Sequence, residues 1–233
     1  MSQSLSEDKI LALCDRLERL YTPAVSDVLD DMGHRNCAMS SGFTPVIADS
    51  VVAGPAFTMA EDKADSTLLL KDMDPEFVVG LLDAFCGGLK KGQVIVVDTN
   101  GFWGAGAYGE LMATTTKYYG GARGAVVDGP IRDIPRIKEI GFPVWARGNI
   151  PTDSVGRTKL VSINESMHCG GVEVNPGDVI LADTDGVIVI PQSVDLEELV
   201  ARAEEVVHAE RRSREELRQG KSLREVYEKY GRL

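Results

Sequence analysis

Apolar residues recur at helical spacing through Ile10, Leu11, Leu13, Leu17 and Leu20, opposite a polar face, and predict a helix from Ser6 to about Tyr21. Thr22-Pro23 has the form of an N-cap followed by proline at the first helical position. A second helix then runs through Val25, Val28 and Leu29 to a stop at Gly33. After a turn-rich loop at Ser40-Ser41-Gly42, Val46 to Met59 reads as strand, broken at Gly54-Pro55. Phe77, Val78, Leu81, Leu82 and Phe85 share one face of a helix predicted over Pro75 to about Leu89. Val94-Ile95-Val96-Val97-Asp98 is an uninterrupted β-branched run, the pattern of a strand covered on both faces.

A glycine-rich loop, Gly101 to Gly109, leads into a helix over Leu111 to Tyr119. Ala125 to Val127 is strand, Ile131 to Ile140 helix, and Pro143 to Ala146 a short strand. This strand–helix alternation predicts an α/β layer. Beyond it, Leu160–Ile163, Gly171–Val174, Val179–Ala182 and Gly186–Ile190 form a small meander or barrel-like layer, with turns at Asn175-Pro176-Gly177-Asp178 and Asp183-Thr184-Asp185-Gly186. Leu196, Leu199, Val200, Ala203, Val206 and Val207 give a long charged amphipathic helix ending near Gly220, followed by a last helix over Leu223 to Tyr230. The organisation is one domain over 1–233: N-terminal helices in 1–35, an α/β core in 45–192 and C-terminal helices in 195–233.

Composition narrows the function. The chain has 233 residues with 43% hydrophobic and 26% charged, which supports an ordinary globular core. A net charge of −11 argues against tracking a nucleic-acid backbone, which needs a basic face. It does not exclude anionic substrates, because one arginine and a metal can set the local field. Cys14, Cys37, Cys86 and Cys169 form no CxxC pair and no zinc-type spacing, so free thiols are expected. The first residues carry no signal-peptide pattern, and no apolar run approaches the roughly 18 residues of a membrane span. A cytoplasmic protein is the expectation.

Two helix starts flank the Ala125–Gly129 strand and can converge on one pocket. At Gly109-Glu110-Leu111-Met112, unpaired N–H groups and a partial positive charge suit a substrate carboxylate; equally, the glycines make a tight strand-to-helix turn. Arg132-Asp133 opens the next helix. There, Arg132 can hold the C2 oxygen of a 2-oxo acid as negative charge develops, and Asp133 can ligate Mg²⁺. The alternative is an intrahelical salt bridge or a capping aspartate. Gly104, Gly106 and Gly109 fit the letters of a dinucleotide motif, but no acidic ribose partner follows convincingly. His168 reads as ordinary, Asp183 and Asp185 as turn formers, and Trp103 and Tyr108 as pocket-lining or subunit-contact residues.

The segments GELMAT (109–114), GAVVDGPIRD (124–133), IGFPVWARG (140–148) and GGVEVNPGDVILADTDGVIVIP (170–191) resemble the class II 4-hydroxy-4-methyl-2-oxoglutarate aldolases and the RraA-type regulators of ribonuclease E. The similarity spans roughly 22–212. It implies an α-β-β sandwich with a swivelling β/β/α-type central domain, assembled as a homotrimer or homohexamer with sites between subunits. It implies Mg²⁺ or Mn²⁺ and a 2-oxo acid substrate; from charge and hydropathy, neither nucleic acid nor membrane is expected as partner.

Carried over by residue, the backbone of Gly109, Glu110, Leu111 and Met112 would bind the pyruvyl carboxylate. Arg132 would contact the C2 oxygen, Asp133 would hold the metal, and Glu110 would orient a water on it. The activity implied is retro-aldol cleavage to pyruvate with oxaloacetate decarboxylation alongside. Glu204 or Glu205 is a candidate acid for a neighbouring subunit's site. The stretch EDKADSTLLLKDMD (61–74) departs from the aldolases and could reshape substrate choice toward a related sugar-acid lyase or dehydratase. The other reading is a protein-binding regulator of a ribonuclease.

Overall fold

A computed structural model of the chain describes residues 5–67 and 69–231, with Leu70 as backbone only. The outer ends of the predicted helical segments (1–4 and 232–233), and Leu68 within the divergent 61–74 stretch, lie outside the described residues. The elements are α1 (Glu7–Leu17), α2 (Thr22–Asp31), β1 (Thr44–Pro45), β2 (Val52–Lys63), a 3₁₀ turn (Leu70–Asp72), α3 (Pro75–Gly88), β3 (Val94–Asp98), α4 (Glu110–Tyr118), β4 (Gly124–Ile131), α5 (Ile134–Glu139), β5 (Val144–Asn149), β6 (Thr158–Ile163), β7 (Met167–Cys169), β8 (Val172–Val174), β9 (Val179–Ala182), β10 (Val187–Ile190), α6 (Leu196–Arg218) and α7 (Leu223–Tyr230).

One eight-stranded sheet runs β1-β5-β4-β3-β2-β9-β10, with β6 also on β2. The block β2-β3-β4-β5 is parallel; β1, β6, β9 and β10 join antiparallel. The strand expected to break at Gly54-Pro55 does not break. Val52–Pro55 pairs with β9, and from Ala56 onward the same strand pairs with β3, so Pro55 sits where β2 changes partners. At Gly54 a Cβ would run into the Gly92 carbonyl oxygen, so this glycine marks a close backbone approach inside a strand. The later strands also do not form a separate layer. β9 and β10 extend the main sheet, β6 lies on the far half of β2, and only the hairpin β7–β8 stands apart.

Alternation along the strands separates three cores. Ile95, Val97, Ala125 and Val127 pack under α3, α4 and α5 with Phe85, Ala113 and Ile137. Val94, Val96, Val126 and Trp145 face Ile180, Ala182, Val187 and Val189 across the interior of the folded-back sheet. Val179, Leu181, Ile188 and Ile190 face outward onto α1, α2 and α6. The architecture is therefore helix on sheet on sheet, with helices on both outer faces, and β3 is buried on both sides as its composition predicts.

Two sequence expectations change at element ends. Thr22 lies inside α2 rather than capping it; the N-cap is Tyr21, whose side chain makes no capping bond. The acceptor comes from the DTDG turn instead. Asp183 takes the Thr22 N–H and hydroxyl, each at 2.7 Å, while its backbone carbonyl accepts from Trp145 Nε1 at 2.7 Å. The helix α3 forms where expected, but of the apolar face assigned to it only Phe85 is buried. Phe77 and Leu82 remain 58% and 51% exposed among the described residues.

A bulge between Ala60 and Glu61 shifts the register of β2 against β6. There Glu61 Oε2 is buried without a hydrogen-bond partner. Burial pushes this carboxyl up to about 7, against the opposing effect of a bond from Thr158. A carboxyl raised in the folded state costs nothing while protonated in both states, and its cost grows as pH climbs from the ordinary glutamate range to about 7. Glu61→Gln is therefore expected to stabilise the protein by roughly 1–3 kcal/mol at about pH 8 and by almost nothing near pH 4. Urea melts at the two pH values measure it; equal shifts at both would remove Glu61 as the source.

Candidate functional site

The two predicted helix starts do meet. They lie where the parallel neighbours β3 and β4 end, the edge of an α/β sheet at which loops are free to form a ligand site. Backbone hydrogen bonds lock them together: Ala107 N–H donates to the Pro130 carbonyl at 3.0 Å, and Arg132 N–H to the Tyr108 carbonyl at 3.0 Å. The strand β4 continues to Ile131, so α5 starts at Ile134, later than its sequence predicts. Arg132 and Asp133 consequently occupy the connection between strand and helix. Asp133 is the N-cap of α5 in a left-handed conformation (φ 61°, ψ 31°), which aspartate tolerates better than most residues, and Pro135 follows in the first turn.

Glycine matters here for space. Gly109 is extended, so its backbone would accept any residue. A Cβ on it would lie 2.8 Å from Asp133 Oδ2 and 3.2 Å from Arg132 Nε. At Gly106 a Cβ would lie 3.1 Å from the Arg132 Cβ. The glycines thus allow the loop to lie directly on the Arg132-Asp133 pair, and their chief role is this close approach.

No side chain of the N-cap residue closes the start of α4. The Glu110 N–H points to Asp133 Oδ2 at 3.3 Å, and the Ala113 N–H begins the helical ladder by bonding the Gly109 carbonyl at 3.0 Å. The N–H groups of Leu111 and Met112 sit between them in the first turn, which leaves the positive end of the helix aimed at the arginine–aspartate pair. Arg132 Nε lies 3.5 Å from Asp133 Oδ2, and Nη1 lies 3.1 Å from Asp153 Oδ1.

The other candidates fall out as follows. The Glu110 carboxylate takes the Thr114 hydroxyl at 2.7 Å, one turn along α4, while its backbone stays in the site. Leu111 is 75% exposed at the rim. Trp103 is also exposed, and a Cβ at Gly148 would lie 3.1 Å from its ring. Tyr108 lines nothing: it is buried, with its hydroxyl 2.7 Å from Thr116 Oγ1. Glu204 is bound by Arg16 through two contacts of 2.7 and 2.8 Å, whereas Glu205 is exposed. His168 is exposed on β7, and among the described residues no three His, Cys, Asp or Glu side chains gather as a metal cage. The four cysteines are free.

Asp153 was not singled out from the sequence. Its signal, Pro151-Thr152-Asp153-Ser154, is that of an ordinary turn, and only the fold brings it to Arg132.

Comparison with known proteins shows the family. The RraA-like model (Aldolase/RraA) matches residues 22–189. The chain belongs to the RraA-like family. A Halalkalibacterium halodurans protein named "Putative 4-hydroxy-4-methyl-2-oxoglutarate aldolase" is 34% identical over 171 residues, covering 73% of this chain and 72% of that protein. Among solved structures, an uncharacterised Pseudomonas syringae protein superimposes with a TM-score of 0.79 at 26% identity, covering 94% of both chains. Streptomyces coelicolor RraAS2, described as an unusual member of the RNase ES inhibitor RraA protein family, gives 0.72 at 28% identity over 87% of this chain and 96% of its own. The RraA-like family thus holds proteins with both kinds of name. The membership agrees with the α-β-β fold expected from the sequence.

Proposed function

We propose that this RraA-like chain is a divalent-metal-dependent lyase that cleaves a 4-hydroxy-2-oxo acid of the 4-hydroxy-4-methyl-2-oxoglutarate type and releases pyruvate. The observation that carries the reading is the Arg132-Asp133 pair held against the bare Gly109 at the open first turn of α4. In this reading the N–H groups at Leu111 and Met112 receive the pyruvyl carboxylate. The Arg132 guanidinium receives the C2 oxygen.

Deprotonation of the C4 hydroxyl breaks the C3–C4 bond. The bonding pair moves to the C2 oxygen as an enolate, and a proton returned to C3 gives pyruvate; a 4-methyl-4-carboxylate substrate yields a second pyruvate from the other half. Arg132 stabilises the charge at the moment it develops, and such stabilisation is commonly the largest single contribution to the rate. A water oriented by the Glu110 carboxylate would move the proton, which requires that carboxylate to turn from the Thr114 hydroxyl toward the site. Decarboxylation of oxaloacetate passes through the same enolate, so it is expected as a second activity.

The residues suit Mg²⁺ or Mn²⁺ of the water-rich kind. Asp133 offers a carboxylate that is 43% exposed, and such an ion needs few protein ligands. Once bound it would supply Lewis acidity toward the oxo acid. The uncovered apolar face of α3, with Phe77 and Leu82, supports assembly with further copies into a trimer or hexamer. The same exposed face and the likeness to RraAS2 favour, as a second reading, a regulator that binds a ribonuclease.

A coupled pyruvate assay with 4-hydroxy-4-methyl-2-oxoglutarate and with oxaloacetate, run with Mg²⁺ and then with EDTA, separates the two. Pyruvate that appears with Mg²⁺ and stops with EDTA is the expected result. Silence from both substrates, together with slowed RNA cleavage by a bound ribonuclease, would put the regulator in its place.

A further inference from the structure

Asp153 stands in the loop between β5 and β6, outside every motif that marks the site. The loop is fastened at several points. The Ile150 N–H donates to the Ile131 carbonyl at 2.9 Å, next to the arginine itself. The Thr152 carbonyl accepts from Gly106 N–H at 2.9 Å, tying it to the glycine-rich loop. The Arg157 carbonyl accepts from Ala64 N–H at 2.7 Å, and Arg157 Nη1 donates to the Asp153 carbonyl at 3.1 Å. Asp153 is thus set on a braced segment, with its carboxylate 3.1 Å from Arg132 Nη1.

A guanidinium is a planar fork on a flexible stem, and one contact does not fix its plane. Here Asp133 stands at Nε and Asp153 at Nη1, two points on different edges of the group. A guanidinium flanked by a carboxylate on each of two sides is oriented before an oxyanion appears during reaction. The side chains of Arg132 and Asp153 are 34% and 42% exposed, so the pair is open to solvent and adds little to stability. Its place against the arginine is better explained by orientation.

We propose that Asp153 is a positioning residue for Arg132, holding the guanidinium in the orientation that meets the C2 oxygen as it becomes an enolate. The inference rests on the lyase reading above and adds a residue to it. Losing the contact leaves substrate binding through the α4 first turn intact and weakens only what Arg132 does in the transition state.

The test uses full-length protein carrying Asp153→Ala or Asp153→Asn, assayed for kcat and KM of Mg²⁺-dependent pyruvate release. Inhibition by oxalate, a stable mimic of the pyruvate enolate, is measured against inhibition by pyruvate itself. Asp153→Ala is expected to lower kcat roughly 10- to 100-fold with KM little changed, the scale of a small misplacement of a reacting group. It is also expected to lose the wild-type preference for oxalate over pyruvate. Asp153→Asn, which still offers Nη1 an oxygen, is expected to recover much of both.

Wild-type kcat and oxalate preference in Asp153→Ala would overturn the proposal and leave the lyase reading standing. So would a loss confined to KM, or an asparagine variant no better than alanine. A wild-type protein that makes no pyruvate and binds neither oxalate nor pyruvate overturns the lyase reading, and the role of Asp153 falls with it.

Discussion

Arg132→Ala is expected to lower kcat for pyruvate release by roughly 10²-fold or more, the cost of losing a donor aimed at developing charge. The geometry makes this a sharp test. Arg132 N–H is bound to the Tyr108 carbonyl at 3.0 Å, a main-chain contact that alanine keeps, so the junction of the two helix starts survives. The guanidinium is lost, together with its contacts to Asp133 and Asp153. Both carboxylates are more than 40% exposed and can be solvated, so no unpaired buried charge is created. Steady-state kinetics with unchanged thermal unfolding would establish the catalytic role. An effect on KM alone would instead make Arg132 a group that binds substrate and transition state equally.

The second large effect is expected at Asp133, where the informative variant is asparagine. The backbone there is left-handed at φ 61°, so alanine adds strain that confuses the result, while asparagine is at home in that region. Asparagine also retains an oxygen for the Glu110 N–H, which now reaches Asp133 Oδ2 at 3.3 Å. What disappears is the negative charge that would hold Mg²⁺. Asp133→Asn should abolish the Mg²⁺-stimulated part of turnover, leaving the same residual rate with metal or EDTA. Calorimetric titration with Mn²⁺ gives an independent readout, and wild-type affinity in the variant would take Asp133 out of the metal site.

Much of this architecture is local, and so it could be read in the sequence. The periodicities of α1, α4, α6 and α7 and the apolar run of β3 are properties of neighbouring residues, and they locate those elements to within a few positions. Gly109 and the Arg132-Asp133 pair were legible because each is a short segment at a helix start. What was misread depends on partners distant along the chain. Gly54-Pro55 carries a turn's composition, yet β9 and β3 on its two sides hold it as strand. Thr22-Pro23 looks like a cap, yet the capping carboxylate belongs to Asp183. Tyr108 looks like a pocket aromatic because it lies among glycines, yet its ring turns into the core beside Ala113. Asp153 carries no local sign at all.

The Asp183 contact has a further consequence, for how the protein emerges during synthesis. The first helices pack on Val179, Leu181, Ile188 and Ile190 and on α6, all made long after those helices. The cap of α2 waits for the same late turn. The apolar face of α1 and α2 is therefore only partly covered, by β2, until β9 and β10 close against that strand. Contacts that close such long loops form slowly, and apolar surface waiting for them is open to chaperones or to aggregation.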